Sequence, residues 1–176
     1  FEAGVRHPAA QFAAAIVEPE GNPRFLEELR RVCDLYGTVL IFDEVITGFR
    51  FDLGGAQKLY DVTPDLATFG KAMANGMPLS ALVGRRNIMK RMEPPDNIFY
   101  SGTMFGETLS LAASIATIRK LERKEIIAKL WLTGGYLAQE VQKLLDLHGM
   151  ETTIMLHGVP PFTRIPSTSC LPRRSS

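Results

Sequence analysis

Cysteine is scarce: Cys33 and Cys170 are the whole complement of a 176-residue chain. Two distant thiols build neither a disulfide framework nor a CxxC metal or redox motif. Cys33 falls among apolar residues at helical spacing, the usual setting of a buried free thiol, and a reducing, cytoplasmic compartment fits this usage. Charge of one sign is missing too. Lys and Arg number 20 against 19 Asp and Glu, so no basic excess addresses nucleic acid and no acidic block forms a solvating tail. No apolar run reaches the ~20 residues that span a bilayer, which argues against a membrane protein. The opening residues 1–8 lack both a signal-peptide profile and an initiator Met. The chain therefore reads as an internal piece of a longer one.

What is present is the composition of an ordinary globular domain. Apolar residues make up 45% and charged residues 22%, and the length suffices for one buried core. Residues 12–17 form an apolar run stopped by Glu18-Pro19, which predicts a buried strand ending in a loop. Asn22-Pro23 offers an N-cap and a first-turn proline. Phe25, Leu26, Leu29, Val32, Cys33 and Tyr36 then recur at helical spacing up to Gly37, which predicts one amphipathic helix. Residues 38–42 are apolar and β-branched enough for a strand covered on both faces, ending in Asp43-Glu44. A loop with Gly48, Gly54 and Gly55 follows, then strands at 65–69 and 79–83. Helices are predicted at 88–92, 107–121 and 125–147, the last with Gly134-Gly135 as a weak point or break. The small residues Ala112, Ala113, Ser114, Ala116 and Thr117 imply that a neighbour approaches the 107–121 helix closely. The order gives an α/β fold with a largely parallel sheet.

In open α/β sheets, ligands bind beyond the carboxyl ends of the strands, where Asp43 and Lys71 both stand. A lysine shielded there is desolvated, which favours its neutral, nucleophilic form, and a neighbouring strand-end carboxylate supplies a fixed negative charge. Pyridoxal 5'-phosphate (PLP) chemistry needs such a pair: a lysine for the Schiff base and an anion that keeps the pyridine nitrogen protonated. The same residues also admit a plainer reading, with Asp43 as a loop or helix cap and Lys71 as solvated surface.

Three stretches bear on that choice: Val39 to Arg50 (VLIFDEVITGFR), Thr63 to Pro78 (TPDLATFGKAMANGMP) and Ser101 to Gly106 (SGTMFG). Together, and in this order, they resemble the class III aminotransferases, and most of all the glutamate-1-semialdehyde aminomutases within them. The likeness runs from Phe12 to Leu145. It implies the three-layer α/β large domain of PLP-dependent transferases, with a mainly parallel sheet. It implies amino-group transfer between an amino donor and a keto or aldehyde acceptor, by an aminotransferase or a 2,1-aminomutase. It also implies a homodimer with shared active sites. By position, Lys71 matches the family's Schiff-base lysine, which also moves the proton at the substrate α-carbon. Asp43 matches the partner of the pyridine nitrogen, and Val45 the apolar residue against the ring. Thr103 matches the threonine that reaches the cofactor phosphate of the other subunit, with simple helix capping as its alternative. Glu18 matches a strand-end glutamate near the site. Gln57 and Arg50 take no role from the resemblance.

The departures set further expectations. The segment from Pro19 to Phe25 is shorter than in the aminomutases, and the family's Ser-Gly-rich phosphate loop and stacking aromatic lie upstream of Phe1. Residues 1–148 are expected to be part of the PLP-binding large domain, 149–165 the start of the small C-terminal domain, and 166–176 a disordered tail. The isolated piece is then expected to be inactive. Two other readings remain at this point. One is a P-loop ATPase with Asp43-Glu44 ending a Walker B strand, although Gly70-Lys71 lies downstream and is followed by Ala72 rather than Ser or Thr. The other is an inactive, truncated remnant.

Overall fold

The structure, a computed structural model, describes residues 12–150, 156 and 158–163. The expected disordered tail and the opening residues lie outside these, as does part of the expected start of a small domain. The chain forms two compact units, Phe1–Arg119 and Lys120–Ser176.

The first unit is built on a four-stranded sheet in the order β1 (Ala14–Val17), β2 (Val39–Glu44), β3 (Leu66–Phe69) and β4 (Ala81–Gly84). The first three strands are parallel, and β4 runs antiparallel to β3. Helix α1 (Pro23–Tyr36) makes the β1–β2 crossover. Asn22 caps it, its side chain accepting from the Phe25 amide at 3.4 Å, and Gly37 ends it at φ +66°. Leu26, Leu29, Val32 and Cys33 form its buried stripe. Leu26, Leu29 and Cys33 pack with Leu40, Phe42, Val62 and Ala67 into the core of the sheet's helix-covered face. Each large side chain there contributes roughly 1.5–3 kcal/mol by leaving water. Cys33 is a free, buried thiol, and burial raises its pKa.

The other face of the sheet departs from expectation. Ile16, Ile41 and Leu66 are register partners on it, yet Ile16 is 66% exposed and β2 alternates between buried and half-buried residues. A parallel strand is apolar on both faces only because layers cover both. The described residues supply the layer on one.

Between β2 and β3 the chain forms a helix where a glycine-rich loop was predicted: α2, Gly55–Tyr60. The 88–92 helix is a short α3 (Arg86–Met89) running into a 3-10 turn (Lys90–Met92). Next comes α4 (Thr108–Arg123). Of its small residues Ser114 is buried and Ala113 and Thr117 are half-buried, whereas Ala112 and Ala116 are exposed.

In the second unit, α5 (Ile126–Leu147) is continuous through Gly134-Gly135, with no break where a weak point or break was predicted. Gly134 is there for contact. A Cβ on it would lie 1.9 Å from the Pro160 carbonyl oxygen, so the 3-10 turn Pro160–Phe162 can rest on the helix only at a glycine. No helix among the described residues is long and apolar enough to cross a membrane.

Candidate active site

β2 and β3 bring Asp43 opposite Thr68, its register partner, near the carboxyl ends of two parallel strands. Asp43 is half-buried and its Oδ1 accepts two hydrogen bonds, from the Val45 amide and the Thr68 hydroxyl, both 3.1 Å. Its Oδ2 receives none from the described residues. The carboxylate is thus fixed by one oxygen and left open at the other.

Val45 follows β2 and lies against the segment that carries the lysine: a Cβ on Gly70 would sit 3.5 Å from Val45 Cγ1. Lys71 comes next, opening a 3-10 turn over Lys71–Met73 with φ +38°. Positive φ is uncommon for a residue with a long side chain and costs of order 1–3 kcal/mol. Asp61, Asn75 and Asn97 also take it, but Asp and Asn are the types that tolerate it, unlike Lys71, Phe49 and Glu125. The turn is held by bonds from the Met73 amide to the Gly70 carbonyl at 2.9 Å and from Asn75 to that of Lys71 at 2.9 Å. The Lys71 side chain is exposed. The shielding by sheet and helices expected for it is not supplied by the described residues, because the second covering layer is not among them.

Glu44, one residue past Asp43, points to the opposite face and is fully buried. Its carboxylate accepts from Thr47 Oγ1 (2.9 Å), the Ala56 amide (2.5 Å), and the Gln57 amide (3.2 Å) and side chain (3.0 Å). It anchors the start of α2 and closes the 45–54 loop that holds Val45. Gly55 makes room for it: a Cβ there would meet Glu44 Oε2 at 2.3 Å. Gln57 therefore finds its place as a partner of Glu44. Glu44 is spoken for, so it is no Walker B carboxylate. Nor does Gly70-Lys71 open a phosphate-cradling helix, since only a three-residue 3-10 turn follows it.

Thr103 lies in the 101–106 turns and is exposed. It does not cap α4. Glu107 does, accepting from the Leu109 amide (2.7 Å), the Ser110 amide (2.6 Å) and the Ser110 hydroxyl (2.6 Å). The Ser110 hydroxyl, followed by these amides, holds the Glu107 carboxyl below its usual pKa. Among the described residues no hydrogen bond, ion pair or ring contact joins residues 101–106 to Asp43 or Lys71. Glu18, just past the end of β1, is exposed.

Asp43, Val45 and Lys71 are thus brought together, and Thr103 stands apart. Sequence reasoning missed Thr68, gave Glu44 a place only in the Walker B alternative, and left Gln57 without a role. For Thr68 a signal existed: aligning the ends of the Ile-Phe-Asp-Glu and Leu-Ala-Thr-Phe strands sets Thr68 beside Asp43.

The family pattern described as Aminotransferase class-III matches residues 4–159. The chain belongs to that family. It is 43% identical over 150 residues to a glutamate-1-semialdehyde 2,1-aminomutase of Desulfatibacillum aliphaticivorans, covering 81% of this chain and 35% of that protein. Among solved structures it resembles an omega-transaminase from Sphaerobacter thermophilus, with a TM-score of 0.78 and 31% identity over 86% of this chain and 36% of that one. It also resembles a transaminase with PLP bound, with a TM-score of 0.83 and 26% identity over 93% and 40%. The chain spans about a third of the length of the curated relatives it matches. These likenesses agree with the expected α/β fold of the PLP-dependent transferases, and nothing in them favours an ATPase.

Proposed function

We propose that the intact protein performs PLP-dependent amino-group transfer between small molecules, as an aminotransferase or a 2,1-aminomutase. The observation that supports this most is the pairing at the strand ends: an aspartate with one oxygen tied down and one open, beside a backbone-strained lysine, with a valine between. These residues fit PLP. An anion for the pyridine nitrogen, an amine for the aldehyde and an apolar side chain for the ring face are the donor set the cofactor requires. When bound, PLP supplies a carbonyl that captures amines and a ring that withdraws electrons from the substrate α-carbon.

The protein's own residues do the rest. Lys71 Nζ would hold the cofactor through its aldehyde carbon and, as a free amine, would take the proton from the substrate α-carbon. Asp43 keeps the proton on the pyridine nitrogen, and Val45 packs against the ring. Thr103 donates to the cofactor phosphate of a second copy in a homodimer. Its own surroundings support an interface: Phe99 is 87%, Phe105 69% and Leu109 61% exposed, an apolar surface that a partner would cover. Since Lys71 is exposed and Thr103 stands apart from it, the 176-residue chain made alone is expected to show no turnover. A free, buried Cys33 is consistent with a reducing cytoplasm.

Mixing subunits tests the reading. Homodimers of Lys71→Ala and of Thr103→Ala should each lose most of their turnover with an amine donor. In the heterodimer one site carries both lesions and the other neither, so activity should return to about half. Full activity in the Lys71→Ala homodimer would contradict the lysine's role. No recovery in verified heterodimers would contradict the shared site.

A further inference from the structure

Asp43 can serve a ring nitrogen only if its carboxylate is held in one orientation. Its own backbone supplies half of that hold, through the Val45 amide at 3.1 Å. The other half comes from a different strand: the Thr68 hydroxyl, also 3.1 Å from Oδ1. Thr68 is the register partner of Asp43 on β3, so both side chains rise from the same face of the sheet, and Thr68 is half-buried there. Three residues later, β3 delivers Lys71. One short strand thus carries both the lysine and the donor that orients the lysine's anionic partner.

We propose that Thr68 is a positioning residue for Asp43, fixing Oδ1 so that Oδ2 is the oxygen offered to a protonated pyridine nitrogen. This rests on the PLP reading above. Valine has nearly the shape of threonine and suits a strand, but it donates nothing. Serine keeps the donor and loses only a methyl group.

The test is the affinity of PLP for the intact protein in a Lys71→Ala background, where binding is reversible and no turnover is needed. Thr68→Val, or Thr68→Ala should valine disturb folding, should weaken PLP by about tenfold, the usual worth of a hydrogen bond to a charged group. Thr68→Ser should stay within about twofold of Thr68. With Asp43→Asn added, Thr68→Val should have little further effect, because the hydroxyl acts through the carboxylate. An unchanged affinity in Thr68→Val, where Asp43→Asn weakens PLP, would overturn the role of Thr68 alone. So would a loss that persists undiminished beside Asp43→Asn. An Asp43→Asn variant that binds PLP as tightly as Asp43 would overturn the PLP reading, and this inference with it.

Discussion

Two aspartates stand at opposite ends of the two central strands and are treated in opposite ways. Asp65, just before β3, is 5% exposed and fully committed. Its Oδ2 accepts from the Leu40 amide at 2.7 Å and from Arg30 at 2.8 Å, and its Oδ1 pairs with Arg85 at 2.9 Å. Asp43, near the carboxyl ends, is half-buried and committed by one oxygen only. A carboxylate whose every oxygen has a protein partner belongs to the fold. One that is oriented and left half open is available to a ligand.

The comparison breaks if the two respond alike to substitution. The largest expected effect is on turnover. Asp43→Asn in the intact protein should lower kcat with an amine donor by at least about a hundredfold, the usual cost of losing one preorganised electrostatic group, while its melting temperature stays close to that of the parent. The amide keeps an oxygen for Thr68 and Val45 but cannot hold a pyridine nitrogen protonated. Near-normal kcat would reduce Asp43 to a loop cap.

Asp65→Asn should do the reverse, lowering stability by about 1–3 kcal/mol because it takes from the largely buried Arg30 its buried partner and leaves only the exposed Asp34, with PLP affinity of the folded protein unchanged. It should also alter the acid limb. Burial opposes the Asp65 charge, but the Leu40 amide, Arg30 and Arg85 outweigh it and hold the carboxyl below its ordinary pKa. With the folded value below the unfolded one, near 4, the stabilisation is present above pH ~4 and is lost as pH falls through the depressed folded value. Urea midpoints between pH 3 and 7 should therefore fall more steeply on the acid side for Asp65 than for the Asn variant. Parallel curves would show that this carboxylate contributes no pH-dependent stability.

The same contrast explains what could be read in the sequence. Strand positions and the α1 boundaries followed from apolar runs, Asn22-Pro23 and Gly37, and they placed Asp43 and Lys71 at strand ends. The antiparallel direction of β4 was not legible, since an apolar run of four residues carries no arrow. Two glycine pairs share one lesson. Gly54-Gly55 was taken as loop and Gly134-Gly135 as a weak point or break, yet both lie in or beside helices. Gly55 gives way to the Glu44 carboxylate and Gly134 to the Pro160 carbonyl. Close approach by a residue distant in sequence leaves no local signature. Glu44 shows the limit most clearly: beside Asp43 it looked like half of an acidic pair, and only the fold shows that its bonds go to Thr47, Ala56 and Gln57.

The central claim is that Lys71 is the residue to which PLP is joined. The direct measurement is borohydride reduction of the intact, PLP-loaded protein followed by peptide mapping. The pyridoxyl label should fall on the peptide containing Lys71, in near-stoichiometric yield, and vanish in Lys71→Ala. A label on Lys58 or Lys90 with Lys71 unmodified would contradict the account.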